Sequence, residues 1–145
     1  MKVLVVDDSV TMRKMIKRIL AGMGITDVVE AGDGREALEI LNIMEGIDLV
    51  LLDWNMPEMT GLEFTEAVRN DGRFDGIPII MISSNTSKSE IIRAIGAGVD
   101  NYIAKPFTPE VLKRKIEQTL AKYGATGGYT TGERTAESQY VQAIS

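Results

Sequence analysis

The chain contains neither cysteine nor histidine in its 145 residues. Without cysteine there is no disulfide framework, no thiol nucleophile and no thiolate metal site. Without histidine it lacks the commonest general base and the commonest transition-metal ligand. It also cannot carry a phosphohistidine of its own. Chemistry therefore falls to Asp, Glu, Lys, Ser, Thr and Tyr, and any bound metal should favour oxygen ligands. No apolar stretch approaches the ~20 residues of a membrane helix, so no membrane insertion is expected. The N-terminus enters a strand at once and leaves no room for a signal peptide, so a cytoplasmic location is expected. The net charge of −5 lacks the basic excess of a nonspecific nucleic-acid binder.

What is present is a set of three short apolar runs, each ending in charge. Val3–Val6 runs into Asp7 and Asp8, Leu49–Leu52 into Asp53, and Tyr102–Ala104 into Lys105 and Pro106. Runs of this length read as buried strands. As parallel neighbours they would place three carboxylates and one ammonium at one sheet edge. Like charges repel, so such a cluster needs a cation to hold it.

The whole chain alternates strand and helix five times. Apolar residues at helical spacing (Met12, Ile16, Ile19, Leu20) predict a first helix. Asp33 is placed to cap a second helix, and Ser87 with Glu90 to open a fourth. Thr108 followed by Pro109 predicts the start of a fifth. Leu49–Leu52, apolar on both faces, fits a central strand covered on both sides. Five βα units with short loops predict an α/β fold with a parallel sheet and helices on both faces. Ligands of such sheets bind outside the carboxyl ends of the strands. That rule gathers Asp7, Asp8, Asp53, Ser83 and Lys105.

The residues Asp7-Asp8, Asp53, Ser83 and Lys105-Pro106, taken together at their spacings, resemble the receiver domain of two-component response regulators. The stretch Asp53 to Pro57 and the chain length look most like the single-domain chemotaxis members of that family. The resemblance covers residues 1–123 and leaves 124–145 as a C-terminal extension of unknown role. It implies a doubly wound (βα)5 flavodoxin-like parallel sheet with strand order 2-1-3-4-5. It implies that Asp53 is the phosphoacceptor, taking its phosphoryl group from a sensor histidine kinase. Mg²⁺ would be ligated by Asp8, Asp53 and the backbone carbonyl of Asn55, with Asp7 acting largely through water. Lys105 would neutralise a phosphate oxygen and Ser83 would hydrogen-bond another, with a cis peptide between Lys105 and Pro106. Tyr102 falls at the family's aromatic switch position, and Asn55 and Asn85 at two positions that tune dephosphorylation.

Output is then expected through protein contact, on a face of helix four, strand five and helix five carrying Lys88, Ile91, Tyr102 and Lys115. These resemble a surface that meets the flagellar motor switch. The alternative is that Lys88 and Lys115 are ordinary solvated charges on helix faces. Trp54 is expected to lie partly exposed beside the site. Two alternatives share the residues. A single-domain phosphorelay receiver outside chemotaxis differs only in its target. An aspartate-based phosphohydrolase would want a second Asp two residues after the nucleophile, where this chain has Asn55. A flavin carrier on the same fold is disfavoured because Asp7 and Asp8 would repel its phosphate.

After Lys122 the composition changes. Residues 124–132 are rich in Gly and Thr and read as a linker. Tyr140 and Ile144 lie on an apolar stripe of a possible short helix. One reading is a helix that docks on this domain or a neighbour. The other, favoured because an isolated helix this short is marginal, is a flexible extension.

Overall fold

The computed structural model describes residues 1–126, with side chains to 123, together with residues 140, 141, 143 and 144. Five strands alternate with five helices. The strands are β1 (Lys2–Val6), β2 (Asp27–Ala31), β3 (Ile47–Leu52), β4 (Ile79–Ser83) and β5 (Asn101–Ala104). The helices are α1 (Val10–Gly22), α2 (Gly34–Ile43), α3 (Gly61–Arg69), α4 (Lys88–Ala97) and α5 (Pro109–Thr126). All pairings are parallel and the order is β2-β1-β3-β4-β5, as expected. The order reverses direction at β1, so the ligand crevice of such sheets lies between the ends of β1 and β3.

Alternation along the strands divides the core in two, because successive side chains point to opposite faces. Val3 and Val5 of β1 pack with Ile16 and Leu20 of α1 and with Leu112 and Ile116 of α5. Leu4 and Val6 pack instead with α2, α3 and α4 through Leu41, Phe64 and Ile95. Both layers are closed to water, which makes the sheet a rigid platform for whatever its edge carries.

The helix starts are set by side-chain caps. The Ser9 hydroxyl accepts the Met12 N–H, and Asp33 accepts the Glu36 N–H. Thr60 and Glu63 form a reciprocal capping box at α3. Thr108 accepts the Val111 N–H, with Pro109 as the first helical residue. α5 runs through Thr126, past the Lys122 end that the sequence suggests. The expected Gly- and Thr-rich linker otherwise lies outside the described residues.

Two close approaches fix the loops around the sheet edge. A Cβ on Gly61 would stand 2.1 Å from the Asp53 carbonyl oxygen, and the Gly61 N–H donates to the Trp54 carbonyl at 2.8 Å. The α3 start is thus pressed against the end of β3. At the opposite end of the molecule, Arg69 ties α3 to the carbonyls of Phe74, Ile77 and Gly98 and to the Asp100 carboxylate at 2.9 Å.

Gly61→Ala is expected to lose about 2 kcal/mol or more of unfolding free energy, since the clash is with backbone and not with a movable side chain. Urea denaturation checks this, and a loss below about 0.5 kcal/mol would mean that the α3 start can move away from Asp53.

Candidate functional site

The ends of β1 and β3 are locked together before any side chain acts. The Asp53 N–H donates to the Val6 carbonyl at 2.9 Å, and the Asp7 N–H donates to the Ala31 carbonyl at 3.1 Å. Asp7, 2% exposed, accepts the Ser9 N–H on Oδ1 at 2.8 Å. Its Oδ2 takes the Lys105 ammonium at 3.0 Å. Asp8, the next residue, faces solvent. Arg13 of α1 holds the turn from below by donating to the Asp7 carbonyl at 2.6 Å, while its Nε pairs with Glu30 at 3.0 Å.

Asp53 is buried at the head of β3. Its Oδ1 accepts the Trp54 N–H at 2.8 Å and lies 3.4 Å from the Lys105 ammonium. Its Oδ2 makes no hydrogen bond or ion pair among the described residues. Ligand atoms of Asp7, Asp8 and Asp53 all lie within 4.8 Å of one another. At an effective dielectric constant near 20, two carboxylates about 5 Å apart repel by roughly 3 kcal/mol. Lys105 supplies one positive charge against three negative ones. Burial raises the Asp53 pKa above its ordinary value; Lys105 opposes this and the Asp7 charge adds to it.

That imbalance is what a small cation relieves. Every donor in the cluster is a hard carboxylate oxygen, and the chain has no His or Cys to offer. Such a set suits Mg²⁺, which takes one or two carboxylates and keeps several waters, better than a soft transition metal. The cluster therefore fits a divalent hard cation.

On the far side of the crevice, Ser83 ends β4 and is fully buried. Its carbonyl accepts the Lys105 N–H at 2.9 Å, which fixes the β5 end beside it. The Lys105-Pro106 peptide is cis. The Ser83 hydroxyl accepts the Asn85 N–H at 3.0 Å, and the Asn85 carbonyl accepts the Tyr102 hydroxyl. Tyr102 is buried, which raises its hydroxyl pKa. Asn55 donates across the mouth of the site to Asn85 Oδ1 at 3.3 Å. Ser83 and Tyr102 are thus joined through one residue.

The structure gathers Asp7, Asp8, Asp53 and Lys105 into one cluster; Ser83 ends the neighbouring β4, and Asn55 and Asn85 lie in the loops after β3 and β4. Trp54 departs from expectation. It is 7% exposed and packs in the α2–α4 layer, because the loop after β3 folds back against Gly61 and turns the ring inward. Lys88 is exposed, whereas Ile91 and Tyr102 are buried. Lys115 is only 4% exposed, so it is not the solvated charge that a helix face suggests. It lies beneath the C-terminal residues. Tyr140, Val141, Ala143 and Ile144 are helical, and Tyr140 and Ala143 join the α2–α4 core layer. This placement fits the docked-helix reading of the C-terminal stripe. Arg13 and Gly61 escaped the sequence reading. An Arg one turn into α1 carries no local signal, and a Gly after a capping Thr looks like an ordinary helix start.

A family model described as "Response regulator receiver domain" matches residues 3–117. The chain is 54% identical over 120 residues to "Chemotaxis protein CheY1" of Helicobacter pylori, covering 83% of this chain and 97% of that protein. It is 48% identical over 137 residues to "Chemotaxis protein CheY homolog" of Campylobacter jejuni, covering 94% of this chain and 100% of that protein. The solved chemotaxis response regulator CheY4 of Vibrio cholerae superposes with a TM-score of 0.75 at 36% identity, covering 81% of this chain and 97% of that one.

The raised Asp53 pKa has a consequence for stability. The folded state holds this proton more tightly than the unfolded chain does, so the contribution of Asp53 is fully present below the unfolded value. It is lost as pH rises through the folded value. Without divalent cations, Asp53→Asn is expected to be more stable than the natural chain at pH 7, by on the order of 1 kcal/mol. The two should converge on acidification. Thermal unfolding from pH 7 downward, in chelator, checks this; a variant less stable at pH 7 would contradict the repulsion described above.

Proposed function

Because the chain belongs to the response regulator receiver family, a family of regulatory modules and not of turnover enzymes, we propose that it is a phosphorylation-activated response regulator with Asp53 as its phosphoacceptor. The observation that carries this reading is the cluster at the sheet edge. A buried carboxylate with one oxygen anchored and one unengaged stands among two further carboxylates and a lysine. Oδ2 of Asp53 attacks the phosphorus of a phosphohistidine on a sensor histidine kinase. The P–N bond breaks, an acyl phosphate forms, and the imidazole leaves. The chain's lack of histidine agrees with a donor on another protein.

Phosphoryl transfer depends mainly on positioning and charge neutralisation. Asp8, Asp53 and the Asn55 carbonyl would hold Mg²⁺, with Asp7 acting through water and fixing Lys105. When bound, the ion neutralises charge on the phosphoryl oxygens. Lys105 supplies a point charge to a phosphate oxygen, at the cost of its contact with Asp53. The Ser83 hydroxyl donates to another oxygen. Asn55 and Asn85, hydrogen-bonded across the mouth, set the access of water and so the lifetime of the acyl phosphate.

Ser83, Asn85 and Tyr102 link this site to the face of α4, β5 and α5, where Lys88, Ile91, Tyr102 and Lys115 meet a protein target. The similarity to CheY proteins favours chemotaxis, with a flagellar motor switch component as the reader, in the cytoplasm. The receiver unit is residues 1–123, with 124–145 appended to it.

Incubation with acetyl phosphate and Mg²⁺ is expected to add one phosphoryl mass to the intact chain, and none to Asp53→Asn. Chelation of divalent cations should abolish the gain. No mass gain in the natural chain, with Mg²⁺ binding demonstrated, would overturn the reading.

A further inference from the structure

The groove between α4, β5 and α5 is already occupied. Ile91, Tyr102 and Lys115 line it together with Tyr140, Ala143 and Ile144. The last three sit at i, i+3 and i+4 and so share one face of the C-terminal helical segment. Ala143 is 5% exposed and Tyr140 is half-buried against the same core layer, while Ile144 borders the groove at 56% exposed and Val141, on the other side of the segment, is 55% exposed. This is the arrangement of an amphipathic helix laid in a groove.

Two cations hold the segment at its ends. The Lys88 ammonium lies 5.5 Å from the centre of the Tyr140 ring, within cation–π range. The Lys115 ammonium donates to the Ala143 carbonyl, and more distantly to Asn101 Oδ1 at 3.5 Å. Carbonyls of a last helical turn lack intrahelical partners, so a cation there satisfies both hydrogen bonding and the helix dipole. Burial has pushed the Lys115 amine down to about 8, as covering it should. About 390 Å³ of the groove stays open beside the segment, so it is seated without being sealed in.

We propose that the C-terminal segment carrying Tyr140, Ala143 and Ile144 is an intramolecular ligand of the α4–β5–α5 groove, and that any other chain must displace it to use that face. The second half of this statement rests on the output face proposed above; the first half does not. All four residues assigned to that face, Lys88, Ile91, Tyr102 and Lys115, touch the segment or line its groove. Tethering supports the occupancy, since a segment joined to its groove by a few intervening residues has an effective concentration on the order of mM. A segment with only sub-millimolar affinity would therefore stay docked. The partner that fits is a short helix with apolar residues at i, i+3 and i+4 that offers Lys115 an oxygen.

A labelled synthetic peptide of residues 133–145, read by fluorescence anisotropy, tests this without phosphorylation. It is expected to bind a chain ending at Thr126 with a Kd of roughly 0.1 mM or tighter, and to bind the full chain at least tenfold more weakly. The full chain carrying Ala143→Arg, which leaves the receiver unit untouched, should bind the peptide as the shortened chain does. Equal affinity for all three proteins, or no binding to the shortened and Ala143→Arg chains up to several millimolar, would overturn the proposal. Failure of the acetyl phosphate experiment would leave this result standing.

Discussion

Mutual repulsion among Asp7, Asp8 and Asp53 is the constraint on which the rest of the molecule depends. A chain does not gather three carboxylates within 4.8 Å of one another unless stronger forces impose it. Here the force is burial. Val3–Val6 and Leu49–Leu52 are closed to water on both faces of the sheet, and their backbones are paired up to the residue where charge begins. The hydrophobic layers are bound to bring the acids together, and Lys105 offsets only part of the charge. The remainder is a standing attraction for a cation.

The same sheet joins the site to the groove of the C-terminal segment. Ser83 belongs to a strand between the two core layers, and Tyr102 to the neighbouring strand, where it pairs with Met81. Between them stands Asn85, bonded to the Ser83 hydroxyl by its N–H and to the Tyr102 hydroxyl by its carbonyl. Tyr102, which also lines the groove of the C-terminal segment, is thus two hydrogen bonds from Ser83.

Much of this was legible in the residues. Strand ends, helix caps at Asp33, Ser87 and Thr108, and strand order follow from periodicity, capping chemistry and the resemblance. What escaped notice depended on tertiary contact. Arg13 and Gly61 act on backbone atoms distant in sequence. Arg69 meets Asp100 across two elements, and neither residue advertises the other. Trp54 looked exposed because its loop is polar, yet the fold of that loop buries the ring. Lys115 read as a surface charge because helix periodicity cannot reveal what covers a helix from elsewhere in the chain.

The central claim is that Asp53 is held in a buried, over-charged cluster built to receive a cation. Carboxyl-carbon NMR titration of Asp53, with and without Mg²⁺, tests it most directly. The account predicts a pKa above the ordinary aspartate value in chelator, moving down when Mg²⁺ is added. An Asp53 that titrates at the ordinary value and ignores Mg²⁺ would contradict it.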